Sequence, residues 1–184
     1  MHWWLAGLLV LSPSFAGKQK RRQKEAPPDG FQEMVVKGVF PLPNGAVVVL
    51  SDKAEAHVIH MMVGPSEGRT IFLRHERRDF ERPLTHDLFD EIMGFAQAEV
   101  VEVRLDDVRS DIYVARVTVE TKRRKQRTVD ARASDSIAMA LGRGLPIYVA
   151  DHVIEQMAVE PGERPFHSED DPDEVDTDDP HQAL

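Results

Sequence analysis

Cysteine is absent from this sequence of 184 residues, and aromatic side chains make up only 7% of it. Without cysteine, the chain can form no disulfide, no cysteine-ligated zinc site and no thiol nucleophile. Long hydrophobic runs are also lacking, because the stretch from Trp3 to Leu11 is too short to cross a bilayer as a helix. Any metal ligands or catalytic groups must therefore come from histidines, carboxylates, hydroxyls and basic side chains.

Charge is distributed unevenly along the chain, whose formal net charge is −9. Eight acidic residues and no basic ones lie between Ser168 and Leu184, whereas five basic residues lie between Lys18 and Lys24. The segment between these two tails is only mildly acidic, so the body of the protein exerts no overall attraction on nucleic acid. Binding of a polyanion would need a local basic patch.

The N-terminal apolar run is followed by Ser14-Phe15-Ala16, a small-x-small pattern typical of a signal-peptidase site. We therefore expect residues 1–16 to be a signal peptide that is removed before Gly17. The mature chain would then be exported, as a periplasmic or secreted protein, with no stable membrane insertion. The basic run downstream opposes translocation, so an uncleaved N-terminal anchor and a cytoplasmic protein with a different start codon stay open.

Domain boundaries follow from composition. Residues 17–30 contain the basic run and a Pro-Pro-Asp-Gly sequence without apolar periodicity, which predicts a linker. Residues 161–184 are highly charged and poor in apolar side chains, which predicts a disordered acidic tail that keeps the protein soluble. The periodic pattern between them predicts a single domain at 31–160.

Within that domain, alternating apolar residues predict strands in clusters, and helices are inserted between the clusters. This order predicts an α+β fold with a mixed, mostly antiparallel sheet of hairpins and three to four helices. The helix that follows Pro83 carries Leu88, Ile92 and Phe95 at i, i+4 and i+7, the apolar stripe of an amphipathic helix. Further helices are predicted after Gly64, from Ser134 and from Asp151.

The sequence Thr85-His86-Asp87 stands where the second helix begins. Thr85 is suited to cap the helix, and the helix dipole favours Asp87 in its first turn. Neither argument accounts for His86, because a helix N-terminus disfavours a charged imidazole. A neutral imidazole there can accept a proton or bind a metal. Helix capping alone and acid–base chemistry both stay open for this segment.

A similar pattern recurs at the third helix. Asp130 and Arg132 share one face at the end of a predicted strand, Ser134 is the predicted cap, and Asp135 stands in the first turn. Arg132 can pair with a carboxylate or hold a phosphate, and both roles are open.

Three predicted helices thus begin with a carboxylate, Glu67, Asp87 and Asp135. If these helix starts converge, the three acids could hold Mg²⁺ or another divalent cation. The alternative is that acids are simply favourable early in a helix. The sequence itself requires no cofactor.

One basic cluster lies inside the predicted domain, at a hairpin tip. It could contact a polyanion, although many such tips are only solvated turns and no aromatic residue is interleaved with it for stacking on bases. A second, weaker basic group, which includes Arg82, is mixed with acids. The hairpin tip contains Lys122, Arg123, Arg124, Lys125 and Arg127.

Three segments, "IHMMVGPSEGRTI", "RPLTHDLFDEIM" and "VDARASDSIAMAL" followed by "LPIYVADHV", together resemble the bifunctional nuclease family. Their order and spacing match over roughly Val35 to Met157. Departures are modest: the family usually has proline and alanine where this chain has Ala133 and Ser136. The resemblance implies an α+β domain, commonly dimeric, whose members act on both RNA and DNA. The family is mostly intracellular, which disagrees with the predicted export.

The resemblance also implies a set of polar site residues. We predict a phosphodiesterase that cleaves RNA or DNA, with His86 as the acid–base group and Arg132 as a phosphate clamp. The acids are predicted to orient the reacting groups or bind Mg²⁺, and Arg82, Thr85, Ser134 and the basic tip to bind substrate. Carried over position by position, the family's polar pattern falls on Glu67, Arg82, Thr85, His86, Asp87, Asp130, Arg132, Ser134 and Asp135.

Two other functions stay open. In the first, the chain is a non-catalytic module that binds nucleic acid or another ligand or serves in assembly, and the same residues only stabilise the fold. In the second, it hydrolyses a small phosphoester in the cell envelope. Convergence of the predicted residues beside an open groove would favour an enzyme, whereas scattered or sealed residues would serve the fold alone.

Overall fold

A computed structural model describes residues 26–159, which form eight strands and four helices. The predicted signal peptide, residues 17–25 of the predicted linker and the predicted acidic tail lie outside the described residues. The strands are β1 (Phe31–Leu42), β2 (Gly45–Asp52), β3 (Val58–Val63), β4 (Ala98–Arg109), β5 (Ile112–Thr121), β6 (Gln126–Arg132), β7 (Ile147–Ala150) and β8 (Ala158–Val159). The helices are α1 (Pro65–His75), α2 (Thr85–Phe95), α3 (Ala133–Arg143) and α4 (Asp151–Met157).

All eight strands belong to one open sheet with the order β6-β5-β4-β7-β1-β2-β3-β8. Every neighbouring pair is antiparallel except β4 and β7, which run parallel. Consecutive strands form hairpins, as β1–β2, β2–β3, β4–β5 and β5–β6 do. The predicted α+β fold with a mixed, mostly antiparallel sheet and up to four helices is therefore confirmed.

The hydrophobic core lies between the sheet and the helices. Leu105 in β4, Ile71 in α1 and Ile137 in α3 are fully buried. Helix α1 approaches β2 so closely that a Cβ atom on Gly68 would lie only 2.5 Å from the Cβ atom of Ala46. This tight approach of α1 to the sheet fixes the position of its first turn, which carries Glu67.

Helix α2 presents its apolar stripe to the solvent. Leu88, Ile92 and Phe95 are 54%, 56% and 92% exposed, although a helix of a globular protein normally turns such a stripe toward the core. Its inner side carries the buried His86 and an ion pair between Asp90 and Arg74 of α1. Phe89 and polar contacts therefore hold α2 against the fold, and its exposed apolar stripe is left uncovered.

Within residues 26–159, no helix combines the length and the apolar character that crossing a bilayer requires.

Candidate functional site

The first turns of α1, α2 and α3 meet around one cavity of about 220 Å³. Helix α3 follows directly from β6, an edge strand of the sheet, so Arg132 stands at the junction of the two elements. Amide groups in the first turn of a helix lack intrahelical partners, and their partial positive charge favours anions. The cavity is lined by Ser66, Glu67, Thr70, Thr85, His86, Phe89, Arg132, Asp135 and Met139.

Arg132 bridges two carboxylates on different helices. Its Nε and Nη2 atoms donate to Asp135 at 2.7 and 3.1 Å, and Nη2 also lies 2.8 Å from a carboxylate oxygen of Glu67. The side chain of Arg132 is 66% exposed, whereas those of Glu67 and Asp135 are largely buried. The guanidinium group therefore faces solvent at the cavity and has two anionic partners behind it.

His86 completes the cluster from the start of α2. It is only 8% exposed, and its Nε2 atom lies 3.1 Å from Oδ1 of Asp135. A carboxylate only accepts hydrogen bonds, so Nε2 carries a proton, and in the neutral form of the ring Nδ1 keeps its lone pair. This Nδ1 atom is buried and has no hydrogen-bond partner within the described residues. An unsatisfied buried nitrogen costs stability, and such groups often have a chemical role.

The charges in this cluster shift the pKa values of its members. Burial alone would raise the pKa of Asp135, but the hydrogen bond and charge of Arg132, followed by those of His86, outweigh it and hold this pKa below its usual value. Asp135, and then Glu67, raise the pKa of Arg132. At neutral pH the cavity therefore holds an ionised Asp135 and a fully charged Arg132.

The lowered pKa of Asp135 predicts a pH-dependent contribution to stability. A carboxyl group whose pKa is lower in the folded chain stabilises the fold above its unfolded pKa of about 3.9 and loses this effect as the pH falls through the folded pKa. We expect Asp135→Asn to reduce the free energy of unfolding clearly at about pH 7 and only slightly at about pH 2.5.

Urea denaturation at both pH values measures this difference. Asp130→Asn is the matched control, because Asp130 precedes the same helix but is exposed and does not line the cavity. An equal loss of stability at both pH values for Asp135→Asn would contradict the electrostatic explanation.

Asp87 does not take part in the cavity, although it was predicted as a catalytic and metal-binding residue. One of its carboxylate oxygens accepts from the Leu84 backbone N–H at 2.8 Å, and the other accepts from Nη2 of Arg74 at 2.8 Å. Burial alone would raise the pKa of Asp87, but Arg74, the Leu84 N–H and the charge of His86 lower it. Asp87 therefore caps α2 and joins it to α1.

The two predicted capping residues do not cap their helices. Leu84 is the N-cap of α2 and Arg132 is the N-cap of α3, so Thr85 and Ser134 already belong to the first turns. Neither N-cap residue makes a capping hydrogen bond with its side chain. Thr85 is exposed at the cavity wall, whereas Ser134 is half-buried and is not part of that wall.

Comparison with known proteins bears on this site. The family model described as the bifunctional nuclease domain matches residues 48–162, which is more than half of the chain. The chain belongs to the bifunctional nuclease domain family. Membership indicates a function related to nucleic acid, and it confirms the resemblance found in the sequence. The matched range begins within β2, so β1 precedes it although β1 is part of the same sheet.

Two curated relatives of this bifunctional nuclease domain come from two strains of Mycobacterium tuberculosis. They are Uncharacterized protein MT1877 and Uncharacterized protein Rv1829. Each is 32% identical to this chain over 113 residues, which are 61% of this chain and 66% of the relative. The chain thus spans somewhat less than two thirds of the length of these relatives.

The predicted metal ligands of this bifunctional nuclease domain are not assembled. Within residues 26–159, no three histidine, aspartate or glutamate side chains lie close enough together to share a metal ion. Glu67 and Asp135 both face the cavity, but Arg132 lies between them and Asp87 points toward Arg74. Bringing the carboxylates together on a cation would require Arg132 to leave.

The remaining predicted site residues, the substrate-binding Arg82 and basic tip and the catalytic Asp130, do not line the cavity. Arg82 is exposed in the connection between α1 and α2, and Asp130 is exposed on β6. The basic tip joins β5 to β6, and Arg132 lies five residues along β6 from Arg127. This corresponds to about 17 Å at the rise of an extended strand.

Four residues of the cavity wall were not predicted. Ser66 and Thr70 both line the cavity beside Glu67. The hydroxyl of Thr70 donates a hydrogen bond to the Ser66 carbonyl one turn earlier. Phe89 and Met139 supply its apolar side. The signal for Thr70 was its helical spacing of three residues from Glu67, which places both on one face of α1. Phe89 and Met139 resemble ordinary core residues in the sequence.

Proposed function

We propose that this chain is a phosphodiesterase that cleaves RNA or DNA at the cavity between α1, α2 and α3. The observation that carries the proposal is the convergence of Glu67, His86, Arg132 and Asp135 from three separate helix starts around one cavity. Hydrolysis of a phosphodiester needs neutralisation of the phosphate, a base for the attacking oxygen and a proton for the leaving oxygen. Family membership supports the same substrate class.

Arg132 is suited to hold the phosphate. Its guanidinium is exposed, remains charged at all relevant pH values and can donate two parallel hydrogen bonds to an anion. A bound phosphate would replace one of the two carboxylates. Glu67 is the partner that is more easily exchanged, because it makes one contact with Arg132 whereas Asp135 makes two. The N-termini of the three helices add favourable potential for the anion.

His86 is suited to transfer protons. Nδ1 takes a proton from water or from a ribose hydroxyl as its oxygen attacks phosphorus. The bond between phosphorus and the leaving oxygen then breaks, and the imidazolium returns its Nδ1 proton to that oxygen. Asp135 fixes the orientation of the ring through Nε2 and stabilises the imidazolium form. Because Nδ1 is buried, substrate binding must open the wall of the cavity to reach it.

The experiment compares two arginine variants of the full chain in cleavage of single-stranded RNA and DNA. Arg132→Gln should lower kcat/KM by about 100-fold, because it removes the cation that faces the transferred phosphate. Arg109→Gln is the matched control: Arg109 is also exposed and also pairs with an aspartate, but it lies at the β4–β5 turn. Equal activity of the two variants would contradict the proposal.

A non-catalytic binding module is the second candidate. It is favoured by the pairing of Arg132 with two carboxylates, which satisfies the guanidinium without any ligand. In that case the purified chain would bind nucleic acid without cleaving it, and Arg132→Gln would lower only the melting temperature. Export and the homodimer stay predictions, the first from the N-terminal pattern and the second from the family resemblance.

A further inference from the structure

The fold brings the end of α2, which carries the exposed Phe95, near the basic tip, although the two are separate in the sequence. Phe95 is the last residue of α2 and is 92% exposed. Two residues later, the carbonyl of Gln97 accepts a hydrogen bond from the backbone N–H of Lys122 at 2.8 Å. The Cα atoms of Phe95 and Lys122 therefore lie within about 12 Å of each other, from the spacing of Cα atoms along and between chains.

The basic tip is held in one conformation by its own turn. The backbone N–H of Thr121 donates to the Lys125 carbonyl, and the N–H of Arg124 donates to the Thr121 carbonyl at 2.8 Å. Arg124 also pairs with Glu120 at 2.7 Å, which offsets one of the five positive charges. All five basic side chains are exposed, so the tip presents a strongly positive surface.

Helix α2 and strand β6 each connect this surface with the cavity. Helix α2 runs from Thr85 at the cavity wall to Phe95, a length of about 16 Å. Strand β6 runs from the basic tip to Arg132, a length of about 20 Å. These spans correspond to about five stacked nucleotides at 3.4 Å each. The exposed Leu88 and Ile92 continue the apolar surface along α2 between both ends.

We propose that Phe95 and the basic tip form a docking surface for single-stranded nucleic acid. From this surface the nucleic-acid strand reaches the cavity along α2 and β6. The proposal rests on the proposed function and specifies the substrate as single-stranded. An unpaired base can stack on an exposed ring while its phosphates contact the cations, whereas a duplex hides the faces of its bases.

Charge argues against a second copy of the chain on this surface. A symmetric contact would bring the five cations of one tip close to those of the other, and like charges in an interface oppose association. A polyanionic strand satisfies the same charges. The exposed ring and the cations then act on one ligand, the ring on a base and the cations on the phosphates.

The test measures binding of the full chain to a labelled single-stranded oligothymidylate of about 12 nucleotides by fluorescence anisotropy. Phe95→Ala should weaken binding by about 5- to 100-fold, and Phe95→Trp should restore it with quenching of the new indole fluorescence. Met62→Ala is the matched control, because Met62 is also an exposed apolar residue but lies on β3. Reversing two charges, with Arg123→Glu and Lys125→Glu together, should reduce the salt-dependence slope by at least about 1.4.

Cleavage of a dinucleotide, which is too short to reach Phe95 from the cavity, reports on the cavity alone. Loss of oligonucleotide binding in Phe95→Ala with unchanged dinucleotide cleavage supports the docking surface. If no substrate is cleaved but binding still depends on Phe95 and the tip, the proposed function fails and the docking surface stands.

Three results would overturn the docking surface. The first is equal oligonucleotide binding by the wild type, Phe95→Ala and the charge-reversed tip. The second is a change from dimer to monomer in Phe95→Ala, by light scattering, with unchanged affinity for the oligonucleotide. The third is loss of binding to phosphatidylserine vesicles in these variants without loss of oligonucleotide binding.

Discussion

Replacing His86 by glutamine should lower kcat/KM for nucleic-acid cleavage by about 100-fold or more, the range that a general acid–base group contributes. Glutamine can still donate to Asp135, so the link between α2 and α3 is largely kept. It has no group that takes up a proton near neutral pH. The pH–rate profile of the wild type should therefore have a limb that is missing in the variant.

His57→Gln is the matched control for this variant. His57 also pairs with an aspartate, through Nδ1 and Asp52 at 2.7 Å, but it lies at the turn between β2 and β3 and not at the cavity. We expect its activity and pH–rate profile to equal those of the wild type. Should both histidine variants have the same activity, His86 would not be the acid–base group.

Replacing Arg74 by methionine should destabilise the protein by about 3 kcal/mol, as expected when one partner is removed from a buried charge network. The side chain of Arg74 is only 10% exposed and joins three helices. It donates to the Ala138 carbonyl in α3 at 2.8 Å and to Asp87 and Asp90 in α2 at 2.8 and 2.9 Å. Methionine fills part of the space but leaves these acceptors without their donor.

Urea denaturation and melting temperature measure the loss, and we expect a decrease in melting temperature of about 10 °C. Arg109→Met removes an exposed ion pair instead and should change stability by less than about 1 kcal/mol. Adding Asp87→Asn to Arg74→Met should recover part of the loss, because it removes a charge that the first substitution leaves unpaired. A loss no larger than that of Arg109→Met would contradict the role assigned to Arg74.

Local patterns predicted most of the fold. The hairpins follow from alternating apolar residues, and α4 begins where the sequence predicted, at Asp151. The orientation of α2 could not be predicted, because periodicity shows that Leu88, Ile92 and Phe95 share a face but not what covers that face. Phe89 and two ion pairs on the other side decide the orientation, and their partners lie in distant segments.

The site illustrates the same limit. Asp87 and Asp135 each stand third in their helices and are equivalent in the sequence pattern. Asp135 turns to His86 and Arg132, whereas Asp87 turns to the Leu84 amide and Arg74. The difference depends on where α1 places Arg74, which is a tertiary contact. The sequence therefore predicted Glu67, His86, Arg132 and Asp135 at the cavity but could not exclude Asp87.

The position of β7 has a consequence for synthesis of the chain. This strand of four residues joins two sets of hairpins, because it pairs with β1 on one side and with β4 on the other. Its partner Met34 is made long before Ile147 leaves the ribosome. Until then, β1 and β4 have unpaired edges, which are sites of aggregation in nascent chains. A chain that stops before Ile147 would thus have two half-sheets with no strand pairing between them.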